Sequence, residues 1–118
     1  MVDCLDNKTK EFALRVIKLS RYLMEEKKEY ILSKQILRSG TSIGANARER
    51  KNAQSKLDFI SKLSVSLKEA DETAYWLELL VGSGYIDDSM YRSLERDLNE
   101  IIALLTASIN TARANMVQ

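Results

Sequence analysis

Four stretches of this chain carry apolar residues at spacings of three and four, and its 118 residues include no proline to interrupt them. That pattern commits the chain to long amphipathic helices. The first stretch runs from about Lys8 to Lys27. Phe12, Ala13, Val16, Ile17, Ser20, Leu23 and Met24 form its stripe, with Lys10, Arg15, Lys18 and Arg21 left to water. Asn7 is placed to cap it. The second runs from about Leu32 to Arg48, with Ser33 as its cap and Leu32, Ile36, Ser39 or Gly40, Ile43 and Ala47 on one side.

The third stretch, Gln54 to Val81, repeats at nearly seven residues through Leu57, Ile60, Leu63, Leu67, Ala70, Ala74, Leu77 and Val81. Tyr75, Trp76, Leu79 and Leu80 give it a second apolar side, where one groove needs only one. Contact with another subunit accounts for that side, and a thick intramolecular core accounts for it almost as well. Gly82-Ser83-Gly84 then breaks the helix, and either glycine can supply a left-handed C-cap. Tyr85 and Ile86 fold over the bundle end. The last helix starts at Asp87 or Asp88 and follows Tyr91, Leu94, Leu98, Ile101, Leu105, Ile109 and Ala112, with Asn115 to Gln118 frayed.

Links of about four to six residues force antiparallel neighbours. The expectation is an all-α, antiparallel up-and-down four-helix bundle, one domain over 1–118. A helical hairpin that completes its core as a dimer is the alternative.

The stretch Ile36 to Lys56 departs from plain helix. Gly40 and Gly44, four apart, share a face with Ala47 nearby. Each glycine costs about 1 kcal/mol against alanine in a helix, which a fold tolerates where backbones approach closely. A loop at Ser39 to Ser42 competes with this reading. The stretch then turns basic. Arg48, Arg50, Lys51 and Lys56 surround one acid, Glu49, and Arg38 lies nearly three turns earlier. Such a cluster fits phosphates, a neighbouring subunit's acids, or simply a solvated junction.

Charge is divided unevenly. Residues 1–56 hold thirteen Lys/Arg against seven Asp/Glu, a net of +6; residues 57–118 hold five against ten, a net of −5. The halves can attract each other within a bundle or between subunits, or the basic half can face a phosphate backbone.

Most catalytic chemistry lacks its residues. With no histidine, hydrolytic triads and the usual zinc sites are absent, and one cysteine, Cys4, forms neither a redox pair nor an intrachain disulfide. Gly40 and Gly44 are not followed by the Lys-Ser/Thr of a phosphate-binding loop. Glu69, Asp71, Glu72, Glu78, Glu95, Asp97 and Glu100 read as solvated helix faces, with Asp71 and Glu78 aligned for pairing across an interface. No cofactor, metal or catalytic residue is expected. No apolar run approaches the roughly 20 residues that span a bilayer, and the expected setting is cytoplasmic.

The run Leu37-Arg38-Ser39-Gly40-Thr41-Ser42-Ile43-Gly44-Ala45-Asn46-Ala47-Arg48-Glu49 resembles the signature of four-helix bundle proteins encoded in intervening sequences of bacterial large-subunit ribosomal RNA genes. Leu37, Arg38, Ser42, Ile43, Asn46 and Glu49 match. Ser39 and Gly40 replace the usual residues, Ala47 stands for Ile, Arg48 for Ala, and Arg50 departs from the final Gly. Ser55 to Ile60, Leu67 with Glu69 and Glu72 to Leu77, and Gly84-Tyr85-Ile86 are also similar to that family. The resemblance implies an antiparallel bundle in a ring-like homopentamer, with no defined activity. Related bundles in diversity-generating retroelements are basic pentameric barrels that partner a reverse transcriptase and nucleic acid. Arg48 and Arg50 make this junction more basic than the family pattern.

Overall fold

The computed structural model describes residues 3–116. Four helices follow in order: α1 (Cys4–Glu25), α2 (Leu32–Glu49), α3 (Lys56–Gly82) and α4 (Asp88–Met116), with a single 3₁₀ turn at Arg50–Asn52. Each helix packs on its sequence neighbour, α1 and α4 close the ring more loosely, and no diagonal pair approaches closely. This is the up-and-down bundle that the four stripes predict. It measures 52 × 26 × 22 Å.

The core runs along the axis through Phe12, Val16, Leu23, Ile36, Ile43, Leu63, Leu77, Leu98, Ile101 and Leu105, each at most 2 % exposed. The α4 stripe lies inward from Tyr91 to Ala112, and Ile86 is buried over the bundle end. The α3 stripe needs one correction: Leu57 is 67 % exposed. It precedes Leu63 by six residues, about 240° around a helix turning 100° per residue, and so leaves the line Leu63, Ala70, Leu77. Ser66, Thr73 and Leu80 fill the inward positions instead.

Hydroxyls therefore sit inside the bundle: Ser20, Ser39, Ser66 and Thr73 bond across a helix interface, Thr9 bonds back to carbonyls of its own helix, and Ser33 Oγ is buried without a partner among the described residues. Ser66 Oγ donates to the Ile43 carbonyl at 2.7 Å, and Ser20 Oγ to the Ser33 carbonyl at 3.1 Å. The Thr73 hydroxyl is 2.8 Å from Ser39 Oγ and from the Glu69 carbonyl. Satisfied in this way, the hydroxyls bonded across the interface fix the register of α2 without the penalty of an unpaired group.

The helix α2 is continuous through Ser39–Ser42, which sets aside the loop alternative. Thr41 and Ser42 return their hydroxyls to the Leu37 and Arg38 carbonyls at 2.7 and 2.6 Å, so they bond within the helix rather than break it.

The caps differ from expectation at the first two helices. Asp3, not Asn7, caps α1 and accepts from the Asp6 N–H at 3.1 Å. The helix thus starts a turn earlier, and it ends at Glu25 rather than Lys27. Ser33 does not cap α2. Glu29 reaches forward from the connection and accepts from the Ser33 and Ile31 N–H groups at 2.8 and 3.2 Å. Downstream, Asp87 accepts from the Met90 N–H at 2.8 Å, and Gly84, at φ +82°, is the left-handed glycine. α4 continues to Met116, past the Asn115 at which fraying was expected; Val117 and Gln118 lie outside the described residues.

Burial pushes the Glu29 carboxyl up, but bonds from the Ser33, Leu32 and Ile31 backbone outweigh it and hold its pKa below the ordinary value. A lowered folded pKa means stability that is complete above the unfolded value, about 4.3. It is lost as pH falls through the folded value. Glu29→Ala is expected to lower stability by about 1–2 kcal/mol at pH 7, the loss of a helix cap. Urea denaturation at pH 7 and pH 3 checks this: the deficit should shrink at the lower pH.

Candidate functional site

The basic cluster falls where α2 gives way to α3. Ser55 caps α3 by accepting from the Asp58 N–H at 3.0 Å, while Asp58 accepts from the Gln54 N–H at 3.1 Å. The pairing is akin to a capping box, with the N–H of Gln54 bonded in place of that of Ser55. The junction lies against the start of α1, where Asp3 and Asp6 supply two carboxylates.

Three of the five basic residues are paired within the chain. The Arg50 guanidinium donates to Asp6 at 2.8 Å, Asp3 at 2.7 Å and the Ala47 carbonyl at 2.7 Å, and its side chain is 11 % exposed. Lys51 pairs with Asp6 from the other side. Burial pushes the Asp6 carboxyl up, but the hydrogen bonds from Arg50 and Lys51 outweigh it, and its pKa is lowered. Arg38 donates to Glu72 at 2.5 Å and lies 3.2 Å from Glu69, near enough to pair but without hydrogen-bond alignment. The Arg38 hydrogen bond holds the Glu72 carboxyl below its ordinary value. Arg48 and Lys56 are exposed and have no ion partner among the described residues.

The uneven charge is thus used in part inside the bundle. Lys8 reaches Glu100 at 2.7 Å, Arg15 reaches Asp97 at 2.6 Å, and Arg38 joins α2 to α3. Asp71 and Glu78 are exposed and take part in none of these pairs.

Gly40 and Gly44 face α1. A Cβ on Gly40 would sit 2.8 Å from both Val16 γ-carbons, and one on Gly44 3.0 Å from Thr9 Oγ1. Ala47 is fully buried on the same helix. The glycines let the two backbones approach and serve packing geometry.

An open groove of about 670 Å³ lies beside the junction, between the start of α3 and the end of α4. Phe59, Ala53, Ala107 and Ala112 line it with Lys56 and Arg50 at its edge, and no carboxylate lines it. It therefore offers apolar contact and positive charge without an acid–base pair. No group of three or more metal-ligating side chains converges among the described residues. The Tyr91 hydroxyl donates to Glu95 at 2.6 Å, and that bond pushes its pKa up to about 12. It keeps its proton at neutral pH.

The family model for 23S rRNA-intervening sequence proteins matches residues 5–107. The chain belongs to that family. Among solved structures, the chain is similar to a protein with unknown function from the S23 ribosomal protein family of Bacteroides thetaiotaomicron VPI-5482. It is 53 % identical, superimposes with a TM-score of 0.89, and the match covers 90 % of this chain and 95 % of that one. No curated protein matches. The membership agrees with the resemblance carried by Leu37 to Glu49, and the family fold agrees with the four-helix arrangement described above.

Asp3, Asp6 and Glu29 are pairing and capping carboxylates that sequence reasoning missed. Asp6 had one signal: an acid on the apolar side of the first stripe, one position from Leu5. Glu29 had none beyond its place just before the second helix.

Proposed function

We propose that this chain is a non-enzymatic, self-associating bundle that acts through assembly, and that the outward side of α3 is the contact between copies. The observation that carries the reading is the exposed apolar residues of α3: Leu57 at 67 %, Tyr75 at 52 % and Val65 at 40 %. Leu57, Ser61, Ser64, Lys68, Tyr75 and Leu79 fall within one side of the helix at 100° per residue, opposite Leu63, Ala70 and Leu77. A helix apolar on both sides belongs in an interior, and in this bundle only one side is covered. Small Ser61 and Ser64 leave room for a neighbouring backbone. The family resemblance supplies five as the number of copies, and a cytoplasmic setting is part of the same reading. Among the described residues, no helix is long and apolar enough to cross a membrane.

Leu57→Lys with Tyr75→Lys tests the reading. Both positions are exposed in the single chain, so its helicity should hold. Light scattering should report a lower mass than for the parent chain at equal concentration. An unchanged mass removes α3 as the contact.

A second reading, a nucleic-acid-associated accessory protein, rests on Arg48 and Lys56, the two cluster residues without an ion partner.

A further inference from the structure

Once the ion pairs are assigned, the remaining positive charge gathers away from the junction. Val16 and Thr9 face Gly40 and Gly44, so positions 7, 10, 14, 18, 21 and 25 occupy the outer side of α1 at 100° per residue. Opposite the buried Ile36 and Ile43, the outer side of α2 carries Lys34, Arg38, Thr41, Ala45 and Arg48. Lys10, Lys18, Arg21, Lys34 and Arg48 are all exposed and have no ion partner among the described residues. Glu11 and Glu25 are exposed acids on the same side of α1, and Glu49 follows Arg48 on α2, so five cations stand against three acids. Lys10 to Arg21 spans about 17 Å and Lys34 to Arg48 about 21 Å of helix, and the glycine-seated contact holds the two rows side by side.

We infer that this α1–α2 outer face binds the phosphate backbone of a nucleic-acid duplex. A second copy is the obvious competitor for five cations, but four of the ten acids of residues 57–118 already hold a cation of the same chain. Glu69 and Glu72 hold Arg38, Asp97 holds Arg15, and Glu100 holds Lys8. Glu95 accepts from Tyr91, while Asp58 and Asp87 accept from backbone N–H groups. These three keep their charge, as do Asp71, Glu78 and Asp88, but the six are divided between α3 and the start of α4. Arg92 and Arg96 stand exposed on α4 among what would be the acidic side. A regular polyanion supplies the missing charge. The face has no exposed aromatic residue for stacking on unpaired bases. Its apolar centre at Leu14 and Ala45 is small. Backbone contact without sequence reading is therefore the expected mode. This surface is separate from the α3 contact and does not depend on it.

The test is fluorescence anisotropy of the full chain with a 20-base-pair DNA duplex and the corresponding RNA duplex, from 50 to 200 mM salt. With four or five phosphates neutralised, log K should fall against log salt with a slope of about −4, a loss of about two orders of magnitude across that range. Lys18→Glu with Arg21→Glu should abolish measurable binding at 150 mM, and the milder Lys18→Gln with Arg21→Gln should reduce the slope by about 2. Arg92→Glu with Arg96→Glu, which reverses as much charge on α4, should leave binding within a fewfold. Preference for DNA or RNA reports which duplex fits and supports the inference either way. Absence of binding at 50 mM, equal loss in the α4 variant, or tighter binding to phosphatidylserine vesicles than to either duplex would overturn it.

Discussion

Gly40→Leu is expected to destabilise the bundle by at least about 3 kcal/mol, the upper range for overpacking a filled interior. Even a bare Cβ there would lie 2.8 Å from both γ-carbons of Val16. Val16 is β-branched and fully buried, so it has no free rotamer into which to retreat. The longer side chain would have to part α1 from α2. Gly40→Ala sets two effects against each other: a gain of about 1 kcal/mol in helix propensity and an overpacking cost of about 1–3 kcal/mol. Packing should win, and the variant should be less stable than the parent. Gly82 is the internal control. It is helical and exposed, and an added Cβ would meet nothing within 4 Å, so Gly82→Ala should be neutral or stabilising by up to about 1 kcal/mol. Thermal unfolding should rank Gly82→Ala above the parent or level with it, then Gly40→Ala, then Gly40→Leu. If Gly40→Ala gains as much as Gly82→Ala, the close approach of α1 and α2 is wrong.

Arg50→Met should cost about 2–4 kcal/mol at neutral pH, toward the range for removing one member of a buried ion pair. Asp6 is 7 % exposed, and after the substitution Lys51 is its remaining cationic partner. Burial then acts on the carboxyl with less opposition, so its pKa should rise from its present lowered position. In the parent chain the depressed Asp6 pKa contributes stability above the unfolded value of about 3.9. That contribution disappears as pH falls through the folded value. The gap between parent and variant should therefore close in acid, as Asp6 takes up its proton in both. Asp6→Asn combined with Arg50→Met should be less damaging than Arg50→Met alone, since it removes the stranded charge. Denaturation of the parent, Asp6→Asn, Arg50→Met and the double variant at pH 7 and pH 3 makes the comparison. A pH-independent deficit would mean that Arg50 acts through packing rather than through its carboxylates.

These two sites mark where sequence reasoning succeeded and where it stopped. Gly40 and Gly44 are four apart on an otherwise apolar face, and local spacing alone identified them as a place of close packing. Arg50 looked free because its partners are remote in the chain. Asp6 and Asp3 precede it by 44 and 47 residues, and only the antiparallel return of α2 brings the ends together. Lys51 and Arg38 look available for the same reason. The stripe of α4 was legible because it has one clear apolar side; that of α1 was legible in part, with Phe12, Val16, Ser20 and Leu23 buried as expected, Leu19 passed over, and Ala13, Ile17 and Met24 only half-buried. α3 was less so: with apolar residues all round, its seven-residue repeat drew in Leu57 and passed over Ser66 and Thr73, whose burial depends on carbonyl and hydroxyl partners from α2. Caps divided similarly. Asp87 and Gly84 follow local rules, while Glu29 caps from four residues before Ser33, outside the usual position.

On the proposed assembly role, the exposed apolar side of α3 is the part of the molecule that bears most directly on what the protein does. Sedimentation velocity of the parent chain at micromolar concentration is the decisive measurement. The account predicts one assembled species at a multiple of 13.5 kDa, with five copies the value expected from the family resemblance. A single species at 13.5 kDa would contradict it.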